Sequence, residues 1–139
     1  MKKLILSAAI ILAACSSGAP SGGVEISDAY IAPPFKGRDV AAGFLQIENS
    51  GPDTRLVSAS SPIADRTEIH THLEEDGIMK MRQIDGVDLP NGASVTFEPG
   101  SYHLMMFGVE LADGTTEAPL TLTYENGESV TMIVPVERR

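Results

Sequence analysis

The sequence predicts an all-β domain, an antiparallel β-sandwich or small barrel of about nine short strands. Three observations carry this reading. Beyond residue 23 there is no long stretch of helical periodicity; short runs of β-branched and aromatic residues recur; and Gly, Pro, Asn and Asp separate them. The expected strands are Val24 to Ile31, Ala41 to Glu48, Arg55 to Ser60, Arg66 to His72, Ile78 to Gln83, Ser94 to Glu98, Tyr102 to Phe107, Leu120 to Tyr124 and Ser129 to Val136. Many short strands at such spacing bury one face each and pack as two layers.

Each element has a local reason. Pro33-Pro34 ends the first strand, because proline cannot donate to the ladder, and opens an exposed loop through Lys36, Gly37 and Arg38. Glu74-Glu75-Asp76-Gly77 is expected to join the fourth and fifth strands as a hairpin loop. A hairpin symmetric about it sets His70 opposite Met81 and His72 opposite Met79. Glu110 to Glu117 reads as an acidic loop with a short helical turn. In Leu120 to Tyr124 and Val130 to Val134 apolar and polar residues largely alternate, as in strands with one buried face, and Glu125-Asn126-Gly127-Glu128 turns between them.

The N-terminus reads as an export signal over residues 1–14: Lys2 and Lys3, then an apolar stretch from Leu4 to Ala14 broken only by Ser7. That stretch is too short to span a bilayer, which takes roughly 20 residues. Leu12-Ala13-Ala14-Cys15 resembles a bacterial lipobox, so Cys15 is the expected lipidation site and mature N-terminus. The expected product is an exported protein tethered to the periplasmic face of a membrane. Ser16 after the Cys favours the outer membrane if the host is Gram-negative. Residues 15–23 form the lipidated Cys and a small, polar spacer, leaving 24–139 as a single domain.

The chain carries 10 Lys and Arg against 19 Asp and Glu, a net charge of −9. That balance argues against nucleic acid as a partner, which is held through clustered cations. The only Cys is the one at the anchor. The folded part therefore has no disulfide, thiolate metal site or Cys nucleophile.

All three histidines, His70, His72 and His103, fall between residues 70 and 106, with Met79, Met81, Met105 and Met106 among them. Residues two apart in a strand share a face, so His103 projects with Met105, His70 with His72, and Met79 with Met81. Singly, a strand methionine is ordinary core filling and a strand histidine an ordinary surface residue; Met106, facing away from Met105, fits the core. The combination is what points to a metal, because imidazole with thioether suits Cu(I).

The run Glu68-Ile69-His70, then Met81 after ten intervening residues, His103 after twenty-one more, and Met105 resembles the His, Met, His-x-Met signature of the PCu(A)C copper chaperone family. Gly37-Arg38-Asp39-Val40-Ala41-Ala42-Gly43-Phe44, Ile47-Glu48-Asn49-Ser50-Gly51 and Pro99-Gly100-Ser101-Tyr102-His103-Leu104-Met105 resemble it too, over roughly residues 24 to 136. The resemblance implies a cupredoxin-like, immunoglobulin-like antiparallel β-sandwich. It implies one Cu(I) per chain, held by His70, Met81, His103 and Met105. It also implies a non-enzymatic monomer that delivers copper to the dinuclear centre of cytochrome c oxidase, through that oxidase's copper-accepting subunit or another extracytoplasmic chaperone. His72 and Met79 lie outside the signature as possible accessory ligands, His72 being expected as a polar neighbour. A second, tail-borne copper site is not expected, because Val136-Glu137-Arg138-Arg139 holds no His or Met.

Four other readings compete. Blue-copper electron transfer needs a Cys thiolate that the domain lacks. Zinc catalysis favours His, Cys and carboxylate over thioether, although Glu68 and Glu74 lie near. Copper buffering would use the same ligands as delivery. A lipid-anchored structural or adhesion module would bind no metal.

Overall fold

The computed structural model describes residues 23–139. The signal segment, Cys15 and nearly all of the spacer lie outside the described residues. Among those described there is no α-helix, and no helix is long and apolar enough to cross a membrane.

Ten strands make two sheets: β1 (Val24–Ala32), β2 (Ala41–Asn49), β3 (Thr54–Ser60), β4 (Arg66–Glu75), β5 (Ile78–Ile84), β6 (Val87–Leu89), β7 (Ser94–Phe97), β8 (His103–Phe107), β9 (Glu117–Tyr124) and β10 (Ser129–Pro135). One sheet runs β1-β2-β8-β4-β5, with β7 continuing along β2 beyond β8; the other runs β10-β9-β3-β6. The named strands pair antiparallel throughout. The all-β antiparallel sandwich expected from the sequence is the fold observed.

Between the sheets lies one core. Ile47, Leu45, Ile69, Leu104 and Met106 of the first sheet meet Leu56, Leu120, Leu122 and Val134 of the second, all essentially buried. Met106 is fully buried, as the alternation with Met105 requires.

Three local expectations are corrected. A tenth strand, β6, is too short at three residues to show periodicity, yet Val87 and Leu89 are both buried. It is pinned from β2: the Asn49 side chain, itself buried, donates to the Leu89 carbonyl at 2.7 Å and the Pro52 carbonyl at 2.8 Å, and accepts from Gly51 N–H. The segment Glu110 to Thr116 contains a turn at Asp113-Gly114 and no helical turn, and β9 begins at Glu117.

The β4–β5 connection is shorter than expected. Glu75 pairs with Ile78, leaving a two-residue turn, Asp76-Gly77, with φ of 54° and 76°. Two consecutive positive φ values suit the right-handed strand twist, and Asp-Gly is a favoured sequence for them. The register therefore sets His72 opposite Met81, Glu74 opposite Met79 and His70 opposite Gln83. The pairing is displaced by two residues along β4. A displacement of two keeps every side chain on its expected face, where a slip of one would have reversed them.

Tyr124 illustrates what burial does in this core. Its hydroxyl is buried without a hydrogen-bond partner, and burial pushes the phenol up to about 12. The fold thus prefers the neutral phenol, so this contribution is complete below the ordinary value of about 10 and is lost as pH rises through about 12. Because an unpaired buried hydroxyl costs about 1 to 3 kcal/mol, Tyr124→Phe is expected to be no less stable than wild type at pH 8. Between pH 10 and 12 the variant's denaturation midpoint should fall less steeply, which chemical denaturation across that range measures.

Candidate metal centre

The outward face of β8-β4-β5 gathers the residues singled out in the sequence. The β4–β8 register sets Arg66 opposite Phe107, Glu68 opposite Met105 and His70 opposite His103. On the other flank of β4, Met81 stands opposite His72 and one pair along from His70. His70 therefore has His103 directly across one interface, Met105 diagonal to it, and Met81 diagonal across the other. Diagonal neighbours in a sheet lie within reach of long side chains such as methionine.

The rings confirm the clustering. His70 and His103 have centroids 5.6 Å apart, and His72 and His103 5.5 Å apart. Phe107 closes one end at 6.3 Å from His70, and the Arg66 guanidinium sits 4.0 Å from the Phe107 centroid. Depth across the face is graded. His103 is buried, His70, His72 and Met105 are partly buried, and Met81 and Met79 are 40% and 59% exposed on the edge strand β5. Leu73 and Ile78 add further exposed apolar surface on the same hairpin. One wall of the site is thus inside the protein and the other is open to solvent.

Hydrogen bonds orient the rings. His70 Nε2 lies 2.7 Å from Glu68 Oε2. The bonds from His70 and from Arg66, whose Nε donates to Glu68 Oε1 at 3.0 Å, hold that carboxyl below its usual range, so it is an ionised acceptor. Nε2 of His70 is the nitrogen placed to donate to it, and Nδ1 is buried without a partner. His103 is arranged the other way round. Its Nδ1 lies 3.3 Å from the Ser101 carbonyl, which only accepts, leaving Nε2 as the free nitrogen. His72 Nδ1 lies 3.3 Å from the same carbonyl. Burial, above all, holds the His103 imidazole below its ordinary value against the Ser101 bond, with His70 and His72 nearby acting in the same direction as burial. A neutral imidazole is the ligating form.

This arrangement fits a soft ion better than a hard one. Thioethers stand beside the imidazoles on this face, and among the described residues no group of three or more His, Cys, Asp or Glu side chains is arranged to hold a metal. A buried nitrogen with a lone pair and no partner is costly unless something occupies it, and thioether with imidazole is a Cu(I) donor set. Sequence reasoning put His70, His72, Met79 and Met81 on one face of a hairpin and His103 with Met105 on another strand, and joined the two groups through the family resemblance; the β4 registers bring all six onto one face. It missed the part played by Glu68, Ser101 and Phe107. For Glu68 a signal was present, since it stands two residues before His70 and so shares its face.

A family model described as "Putative lipoprotein LpqE-like" matches residues 24–136, nearly the whole described domain. The chain belongs to the LpqE-like family. No curated protein gives a significant match to this LpqE-like chain. Among solved structures, the copper-bound PCuAC domain from PmoF2 superposes with a TM-score of 0.70 at 22% identity, over 85% of this chain and 95% of that one. The apo PCuAC domain from PmoF1 gives 0.69 at 18% identity, over 85% and 96%. The solution structure of CuI-DR1885 from Deinococcus radiodurans gives 0.67 at 17% identity, over 89% and 83%. The PCu(A)C resemblance read from the sequence is borne out in the fold, which this LpqE-like chain shares with those domains.

Proposed function

We propose that this chain is an extracytoplasmic copper carrier that binds one Cu(I) through His70, Met81, His103 and Met105 and passes it to a copper-accepting protein. The observation that carries the reading is the gathering of two histidines and two methionines on one outward face of β8-β4-β5, with a buried, unpartnered Nδ1 on the central His70. Relatives of the same fold described as copper-bound and CuI forms support the choice of ion.

The donor chemistry suits the task. Thioethers are soft, uncharged and cannot be lost to disulfide formation in an oxidising compartment, and the folded part has no thiol. Neutral donors on an open edge allow a partner's ligands to replace them one at a time. The proposed recipient is the dinuclear copper centre of a cytochrome c oxidase, reached directly through its copper-accepting subunit or by way of another extracytoplasmic chaperone. Lipidation at Cys15 is proposed as the means of holding the carrier, as a monomer, at a bacterial membrane; the family's description as lipoproteins supports this.

His72 is proposed as a polar neighbour, although the observed register brings it opposite Met81. It shares the Ser101 carbonyl with His103, and Met79 lies one pair further out, opposite Glu74. Accordingly, His103→Ala is expected to weaken Cu(I) binding far more than His72→Ala in titrations against a competing Cu(I) chelator. Equal losses would show that the ligand set is drawn wrongly.

Delivery is tested by incubating the Cu(I)-loaded chain with the isolated copper-binding domain of the oxidase. Transfer is expected. Failure to load a domain that accepts free Cu(I) under the same conditions would replace delivery with copper buffering, for which the same four ligands would serve.

A further inference from the structure

We propose that Glu68 is a positioning residue that fixes His70 with its proton on Nε2 and so presents Nδ1 to the metal, while Ser101 fixes His103 to present Nε2. This deepens the copper reading above and rests on it.

Two hydrogen bonds place Glu68 in that role. One carboxylate oxygen accepts from His70 Nε2 at 2.7 Å, and the other accepts from Arg66 Nε at 3.0 Å. Arg66 in turn lies over the Phe107 ring, 4.0 Å from its centroid, and Phe107 neighbours His70. Residues 66, 68 and 70 share the outward face of β4, each directly across from Phe107, Met105 and His103 on β8. The carboxylate is thus fixed from two sides before any ion arrives. Both of its oxygens are engaged, so it orients a ligand instead of being one.

An imidazole protonated on Nε2 can only accept at Nδ1. In His70 that atom is buried and no protein group satisfies it. Buried polar atoms in native folds nearly always have partners, and a metal-binding histidine commonly gives its other N–H to a carboxylate or a backbone carbonyl. His70 with Glu68 and His103 with the Ser101 carbonyl supply one case of each. The two rings therefore offer different nitrogens from facing strands. Without Glu68 the His70 ring would be free to turn or to move its proton to Nδ1, which would block the lone pair.

The test combines tautomer and affinity. Long-range proton–nitrogen correlation spectra of the metal-free chain are expected to show His70 protonated on Nε2 and His103 on Nδ1. Glu68→Gln keeps an acceptor oxygen in place and should preserve both the His70 tautomer and Cu(I) affinity to within a few-fold. Glu68→Ala should give a mixed His70 tautomer, leave His103 unchanged, and weaken Cu(I) binding by about 10- to 100-fold, the usual cost of losing such a partner.

The proposal is overturned if His70 in the wild-type chain carries its proton on Nδ1, a result that needs no variant to fold. It is equally overturned if Glu68→Ala binds Cu(I) as wild type does, or if Glu68→Gln loses as much affinity as Glu68→Ala. A wild-type chain with the expected tautomers that binds no Cu(I) would instead overturn the copper reading on which the proposal rests.

Discussion

Replacing Met81 and Met105 together by leucine is expected to lower Cu(I) affinity by about a hundredfold or more while leaving the fold standing. In the proposed shell each thioether is one soft donor of four, and a tenfold loss for each corresponds to about 1.4 kcal/mol of binding. His70 and His103, the two proposed ligands that remain, would be a shell without soft donors. Leucine conserves the volume of methionine, and such swaps usually cost less than about 1.5 kcal/mol even in cores. Met81 is 40% exposed, so its share should be smaller still. Competition with a chromophoric Cu(I) chelator reads the affinity, and a denaturation curve reads the fold. Unchanged binding would remove the methionines from the site and with them the case for copper.

The second large effect is on stability. Leu104 stands between His103 and Met105, points to the opposite face, and is fully buried. It packs over Gly43 on β2, where even a Cβ would come within 3.1 Å of the leucine's own. Leu104→Ala is expected to cost about 3 kcal/mol, from lost burial and from a cavity that a sheet held on both sides cannot close. The denaturant midpoint should fall accordingly. Because the same residues position the ligands on the other face, Cu(I) affinity should also fall, though less than in the double methionine variant. A cost below about 1 kcal/mol would mean that the core beneath the site collapses readily.

Much of this was legible in the sequence, for physical reasons that differ by element. Strands with one buried face announce themselves through alternation, and β9 and β10 with the Gly127 turn were found where the pattern put them. The three-residue β6 is too short for any period to emerge, and it is held by the Asn49 side chain of a distant strand. In the β4–β5 hairpin the local Asp-Gly preference for positive φ decided the register against the expected four-residue loop. The ligand face survived that error because side chains alternate with a period of two.

The site was legible in its ligands and less so in what surrounds them. His103 could be paired with Met105, and His70 with Met81, by spacing and face, and the family resemblance joined the two pairs. That His103 is buried while Met81 stands at an open edge follows from strand order, β8 being internal to the sheet and β5 at its margin, and no local pattern encodes that. The Ser101 carbonyl belongs to the backbone and leaves no trace in residue identity.

One Cu(I) is proposed to sit on the β8-β4-β5 face between two imidazoles and two thioethers. X-ray absorption at the copper edge, on the chain loaded with one equivalent of Cu(I), tests it most directly. The expected shell holds two nitrogen and two sulfur scatterers, and the sulfur contribution disappears in the Met81→Leu, Met105→Leu variant. A shell of nitrogen and oxygen alone, or a sulfur signal that persists in the double variant, would contradict it.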